Sequence, residues 1–420
     1  MMIVLGNCLR KRMSMNSTIS IVLFLAFLFF VSATGARSLI NGQSHTLFAR
    51  FPRAADGICA AMIETWGYVC EEHKVTTADG YILSMQRIPA SRSGAKPDKP
   101  PVLLQHGLLM DAMTWVLNPP DQSLAFILAD NGYDVWLSNT RGTKYSRGHT
   151  SLSAFDLAYW DWSWDELVAY DLPAVVQHVS DQTGQKPHYV GHSLGTLVAL
   201  AAFSKNGLVT ALRSAALLSP IAYVNQVPSA LTKGAAHAFL AEDLYWLGVQ
   251  ELNPREPMVL EVVETLCTSL GLDCTNLMTP FTGPNCCLNS SITSPFLDHE
   301  LQPTATKNAI HLSQMVRQGS IAKFDYGAPG LNVERYGQPT PPVYEMASIP
   351  HEFPLYVSYG GQDQLSDPGD VQTLLDSLRD HNSDQLVVQY REDYAHADFV
   401  FAVNANQIVY YPLMAFFGRN

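Results

Sequence analysis

The pentapeptide Gly191-His192-Ser193-Leu194-Gly195 has the form G-x-S-x-G. Between a strand and a helix, this pattern makes a sharp turn that presents a serine hydroxyl for nucleophilic attack. Small flanking residues suit such a turn, because neighbouring backbone comes too close for larger side chains. The pentapeptide has that setting: His188-Tyr189-Val190 reads as a strand and the apolar run from Leu194 to Phe203 as a helix. The N-terminus of that helix would point its dipole at a developing oxyanion.

A serine nucleophile needs a base, and the base needs a group to orient it. With this turn the expected chain order is serine, acid, histidine. Two histidines follow the next strand, His381 and His396. His381 falls in the loop leading into the last strand, on the wrong edge of a parallel sheet. His396 falls just past the strand that ends at Tyr390, on the carboxyl edge with Ser193. The acid should follow the strand Leu355 to Tyr359, which places Asp363 there. Its competitor Asp367 precedes Pro368 and reads as a helix N-cap.

An oxyanion needs two backbone N–H donors. Leu194 supplies one and Leu108, in the turn His106-Gly107-Leu108, the other. His106 precedes Ser193 and reads as a loop brace, and His192 as packing beneath the turn. Trp160, Trp162 and Trp164 read as packing residues. The chain has no H-E-x-x-H, P-loop, G-x-G-x-x-G or EF-hand pattern, so no metal or cofactor is implied.

Strands and helices must position these groups. Strand patterns at Tyr81 to Arg87, Val102 to Gln105, Tyr133 to Ser138, His188 to Val190 and Ala215 to Leu218 alternate with helical ones. Ser163-Trp164-Asp165-Glu166 has capping-box spacing and opens a helix. This rhythm predicts a mostly parallel α/β sheet. It breaks at about Pro220 and returns at Leu355 to Tyr359, with a last strand at Gln385 to Tyr390 and a helix from Phe399 to Ile408. The expected organisation is a signal over 1–36, a first core part over 37–220, an inserted cap over 221–345 and a second core part over 346–420.

The first 36 residues carry a basic flank, Arg10-Lys11-Arg12, then eleven unbroken apolar residues from Ile21 to Val31, then small residues suited to cleavage after Gly35 or Ala36. Eleven is short of the roughly 18–20 residues that span a bilayer, so a cleaved signal is expected. No later segment approaches transmembrane length. Removing the three basic residues leaves 23 bases (26 − 3) against 38 acids, a net charge of −15, which repels phosphate backbones and excludes nucleic acid as a partner. Six cysteines remain, an even number in an oxidising lumen. Asn289-Ser290-Ser291 is a glycosylation sequon.

Trp66-Gly67-Tyr68, Asp79-Gly80-Tyr81-Ile82-Leu83, Gln105-His106-Gly107-Leu108-Leu109, Gly132-Tyr133-Asp134-Val135-Trp136-Leu137 and Gly191-His192-Ser193-Leu194-Gly195-Thr196 resemble the acid lipase family, which includes gastric, lysosomal and plant triacylglycerol lipases. The resemblance runs from about Cys59 to the C-terminus. Leu194, where animal members usually carry Gln, and Thr282-Gly283-Pro284-Asn285-Cys286-Cys287 look closest to the plant branch. The resemblance implies an α/β-hydrolase fold with a cap and mobile lid, and hydrolysis of triacylglycerols or steryl esters. It also implies the triad Ser193, Asp363 and His396, in agreement with the residue-level reading. The expectation is a serine lipase acting on lipid esters in the secretory pathway, extracellular or in a vacuole or lysosome. A carboxylesterase on small soluble esters and a non-catalytic ligand-binding α/β-hydrolase are the competing readings.

Two expectations concern the cap. Phe239 to Leu252 reads as a lid, with Leu244, Trp246 and Leu247 forming an apolar face among polar residues. Cys59 is expected to pair with Cys70. A bridge between the adjacent Cys286 and Cys287 reads as strained, so each is expected to pair with Cys267 or Cys274, in either arrangement. The resemblance to animal relatives suggests instead a pair between Cys267 and Cys274.

Overall fold

A computed structural model describes residues 57–420 apart from 206, 271–277, 293–294 and 297–298. The signal segment and Cys274 lie outside the described residues.

The sheet begins with an antiparallel pair, β1 (Glu71–Thr76) and β2 (Tyr81–Ile88). Strand–helix alternation follows through β3 (Pro101–Gln105), α1 (Leu124–Asp130) and β4 (Asp134–Ser138). The short β5 (Gly148–His149) pairs with β2. The Ser163–Glu166 capping box opens a helical turn that runs through a π-turn, Leu167–Asp171, into α2 (Leu172–Thr183). Then come β6 (His188–His192), α3 (Leu194–Phe203) and β7 (Ala215–Leu218).

Between β7 and the next sheet strand the chain leaves the sheet. This insertion holds α4 (Ala230–His237), α5 (Leu240–Trp246), β8 (Glu251–Leu252), α6 (Pro257–Leu270), α7 (Met278–Thr282), β9 (Thr304–Ala305), α8 (Thr306–Gln318) and α9 (Pro329–Tyr336). The chain returns with β10 (Leu355–Gly360), α10 (Pro368–Ser377), β11 (Leu386–Arg391), α11 (Asp398–Phe401) and α12 (Tyr411–Phe417). Among the described residues the sheet has nine strands, in the order β1-β2-β4-β3-β6-β7-β10-β11 with β5 on β2. Every pair from β4–β3 to β10–β11 is parallel. β1 was the strand that hydrophobic alternation did not mark, because only Val75 of its six residues is buried. The single helix expected over Phe399 to Ile408 is α11 followed by a separate π-turn, Asn406–Tyr410.

Side chains alternate across the sheet, so each central strand feeds two cores. Val102, Leu104, Val190, Ala216 and Leu218 pack toward α1 and α12. Leu103, Tyr189, Ala215, Leu217 and Val357 pack toward α2 and α3. The expected packing role of Trp160, Trp162 and Trp164 holds, since all three are buried in the second cluster. Parallel pairing brings the ends of β3, β6, β10 and β11 to one edge, where the reactive side chains collect.

The insertion departs from expectation at two points. Leu244 is 6% exposed while Trp246 is 83% and Leu247 47% exposed, so the three do not form one apolar face. Residues two apart on a helix point to different sides, and α5 turns Leu244 inward and Trp246 out. The disulfides are the second. Cys59 and Cys70 are bonded as expected. Cys286 and Cys287 are bonded to each other, which overturns the pairing of each with Cys267 or Cys274. The adjacent pair sits in a turn whose two N–H groups both donate to the Asp398 carboxylate, at 3.1 Å each. This external hold on the turn offsets the local cost of bridging neighbours.

Candidate active site

Ser193 joins β6 to α3 with φ 55° and ψ −120°, one of few non-glycine residues with positive φ among those described. Such a conformation is costly and marks a strained, functional turn. The tight packing explains the small neighbours. A Cβ on Gly195 would lie 2.6 Å from the Gln105 carbonyl oxygen. One on Gly107 would lie 3.0 Å from the Ser193 Cβ, so the loop after β3 rests directly against the serine. Among the described residues no acceptor is set opposite the N–H of Leu108 or Leu194. Leu194 directly follows Ser193, and Leu108 follows the Gly107 that packs against it.

His396 follows β11 and Asp363 follows β10. The His396 Nδ1 lies 3.0 and 2.9 Å from the two Asp363 carboxylate oxygens. Asp363 Oδ1 also accepts the N–H of Leu365 at 2.9 Å and of Ser366 at 2.8 Å. Burial pushes this carboxyl up, but the His396 ring and those two N–H groups outweigh it and hold Asp363 below its ordinary value. An ionised Asp363 fixes the proton on Nδ1 and leaves Nε2 as a base. His396 Nε2 is buried with no hydrogen-bond partner among the described residues. Ser193 Oγ is therefore not hydrogen-bonded to it here; catalytic hydrogen bonds of this kind tighten in the Michaelis complex.

The remaining expected residues fall as follows. Asp367 caps α10 by accepting the N–H of Gly369 and Asp370. His381 bonds the Phe353 carbonyl at 2.7 Å, just before β10 and so on the far edge of the sheet. His106 braces its loop: Nδ1 donates to the Gly107 carbonyl at 2.8 Å and Nε2 accepts the Thr140 N–H at 3.1 Å. Burial pushes its imidazole down to about 4, so it is neutral there.

His192 does more than pack. Its Nε2 donates to the His396 carbonyl at 3.0 Å, and burial lowers it to about 3, so it stays a neutral donor. The residues of the cap that touch the His396 loop were also missed, because nothing in the sequence links positions more than a hundred apart. Among the described residues one cluster of metal-ligand types occurs, Cys286, Cys287 and Asp398, with atoms within 4.8 Å. Its two sulfurs are joined to each other, so neither is a free thiolate.

Two buried carboxyls flank the loop after β3. Asp111 ends that loop and Glu300 comes from the insertion; both are fully buried. Glu300 accepts the Asp111 N–H at 3.1 Å and the Thr114 hydroxyl at 2.9 Å. Lys144 and Arg255 are the cations that face them. Burial pushes Asp111 up to about 7, and burial with the Asp111 charge pushes Glu300 well above the carboxylate range. Unfolded carboxyls titrate near about 4. The protonated pair therefore contributes stability that is complete below about pH 4 and is lost as pH rises through about 7. The melting temperature should fall between about pH 5 and 8, and Glu300→Gln should flatten that fall. Thermal melts of both proteins across this range test it; equal slopes would refute the assignment.

The α/β sheet, the strained Ser193 turn and the buried His396–Asp363 pair on one edge define an α/β-hydrolase. Family models agree: one described as a partial alpha/beta-hydrolase lipase region matches residues 59–119, and one described as the alpha/beta hydrolase fold matches residues 100–260. Triacylglycerol lipase 2 of Arabidopsis thaliana is 47% identical over 419 residues, covering 99% of each chain. The gastric triacylglycerol lipase of Rattus norvegicus is 36% identical, covering 90% of this chain and 97% of its own. A carboxyl esterase from Bacillus coagulans shares the fold with a TM-score of 0.55 at 13% identity, over 84% of this chain and 98% of its own. The chain belongs to the acid lipase family, and is a carboxylic ester hydrolase of the lipid-ester, α/β-hydrolase type.

Proposed function

We propose that the protein is a serine lipase of the secretory pathway, extracellular or in a vacuole or lysosome, that hydrolyses triacylglycerol through Ser193, His396 and Asp363. The observation that carries this reading is the buried His396–Asp363 pair on the sheet edge that bears the strained Ser193 turn. Ser193 Oγ attacks the ester carbonyl while His396 Nε2 takes its proton. The carbonyl oxygen becomes an oxyanion held by the N–H groups of Leu108 and Leu194. His396 returns the proton to the departing glyceride alkoxide. Water, deprotonated by His396, then attacks the acyl carbonyl, and His396 returns that proton to Ser193 Oγ as the acyl–oxygen bond breaks and the fatty acid leaves. Asp363 keeps the imidazole in the tautomer that accepts at Nε2.

The insertion over residues 221–345 would act as the cap above this edge. Its exposed Trp246 and Leu247, with Phe239 at 43% exposure, offer apolar surface suited to an emulsion rather than to a cleft. The test compares purified protein on emulsified triacylglycerol, steryl ester and a soluble short-chain ester. A rate that rises above the substrate's solubility limit supports a lipase; saturation below it supports a carboxylesterase. Within the same assay, Trp246→Glu should lower turnover of the emulsion by about 10-fold and leave the soluble ester nearly unchanged. Equal losses on both would reduce Trp246 to a packing residue.

A further inference from the structure

One cap segment holds both loops that carry the acid and the base. The carbonyl of Thr282 accepts the N–H of His396 at 3.1 Å and the N–H of Gln364, the residue after Asp363, at 3.4 Å. Gly283 has φ 94°, and a Cβ there would lie 2.1 Å from the Gln362 carbonyl oxygen, so the segment presses against the acid loop. Asn285 Oδ1 accepts the N–H of Ala397 at 3.0 Å. Asp398 is fully buried and closes the arrangement, accepting the N–H of Ala395 at 2.8 Å and of both Cys286 and Cys287 at 3.1 Å.

The backbone around the histidine is thus fixed from both directions. N–H groups on either side of His396 are tied to the cap or to Asp398. Its carbonyl receives His192 Nε2 at 3.0 Å and the Ser219 hydroxyl at 3.4 Å, both from the sheet edge. Asp398 serves as the hinge of this arrangement, because one carboxylate receives amides from the histidine loop and from the disulfide turn. Three N–H donors on one carboxylate are a strong, charge-assisted set. An amide in its place has one acceptor oxygen and an NH₂ that would oppose a backbone donor.

We propose that Asp398 and the cap segment from Thr282 to the Cys286–Cys287 disulfide form a positioning brace, which holds His396 in register with Asp363. The proposal rests on the reading of Ser193, His396 and Asp363 as the catalytic group. In it Asp398, Asn285 and the disulfide are positioning residues that touch no substrate. Misplacing a reacting group by about 1 Å costs on the order of 100-fold in rate, so a loosened brace should act on turnover and spare binding.

The test uses the full protein, with active sites counted by a fluorophosphonate probe and rates measured on a soluble ester. Asp398→Asn should lower kcat by on the order of 10- to 100-fold with KM nearly unchanged. Labelling of Ser193 by the probe should slow in parallel, because the same base activates the hydroxyl toward the probe. Asn285→Ala should do the same to a smaller degree, because it removes the acceptor for Ala397 and the bonds that Asn285 Nδ2 donates to Thr282 Oγ1 at 2.8 Å and to the Gly283 carbonyl at 3.1 Å. The double variant Cys286→Ser with Cys287→Ser keeps both backbone donors and frees the turn; it should lower kcat with KM nearly unchanged even if Asp398→Asn does not fold. A wild-type kcat per titrated site in the double variant and in Asn285→Ala would overturn the brace. Failure of the probe to label the wild-type protein would instead overturn the reading of Ser193 on which the brace rests.

Discussion

Ser193→Ala should abolish ester hydrolysis, with kcat falling by on the order of 10⁵- to 10⁶-fold. The nucleophile and its base act as one unit, so the whole covalent route is lost with the hydroxyl. The fold should be kept for specific reasons. Ser193 contributes a backbone N–H to the Leu218 carbonyl at 3.2 Å and a carbonyl that receives the Thr196 N–H at 2.8 Å, and alanine preserves both. The Thr196 hydroxyl bonds the Ser193 carbonyl and not its side chain. Alanine has the same Cβ, so the positive φ is no more strained than in the native turn. The melting temperature should therefore stay within a few degrees while probe labelling disappears. Near-native hydrolysis by a folded, contaminant-free Ser193→Ala protein would sink the mechanism.

The reactive residues were legible because each sits at a punctuation point of the α/β rhythm. Ser193 lies between a strand and a helix, Asp363 just after β10 and His396 just after β11. Parallel strands must deliver those positions to one edge, so element order alone brings Asp363 to His396 and excludes His381. His106 was legible as a brace for the same reason.

What escaped was side-chain traffic across long separations. The Asp398 and Cys286 positions are 112 apart, and Asp111 and Glu300 are 189 apart. Hydrophobic period says nothing about which insertion residue will meet which loop. The pairing expected for Cys286 and Cys287 failed through a related gap. Local strain argued against Cys286–Cys287, but the turn is set by donors to a carboxylate far along the chain. The expectation of one apolar face along Phe239 to Leu252 failed locally, since spacing along α5 does not say which side packs against the rest of the insertion. In the structure α5 is held by the ion pair between Glu242 and Arg317 of α8, with Leu244 inward.

Asp363→Asn should reduce turnover by on the order of 10⁴-fold while Asp367→Asn changes it little. An asparagine at 363 can still accept the N–H of Leu365 or Ser366 through its oxygen. Its NH₂ would then face His396 Nδ1, which must give up its proton to accept. The proton moves to Nε2, and the ring can no longer take one from Ser193. At 367 the logic reverses. Asp367 Oδ1 caps two N–H groups of α10, and an asparagine oxygen does this equally well. Burial first, and then Asp367 itself, push the neighbouring Asp370 carboxyl up to about 7. Both Asp367 Oδ2 and Asp370 Oδ1 are buried without partners among the described residues. An amide at 367 removes one of two crowded acids and offers a donor toward the other. Asp367→Asn should therefore keep its activity and melt no lower than the native protein at neutral pH. Kinetics on a soluble ester, with thermal melts of both variants, decide the matter. The reverse ranking would assign the orienting carboxylate to Asp367 and displace Asp363 from the mechanism.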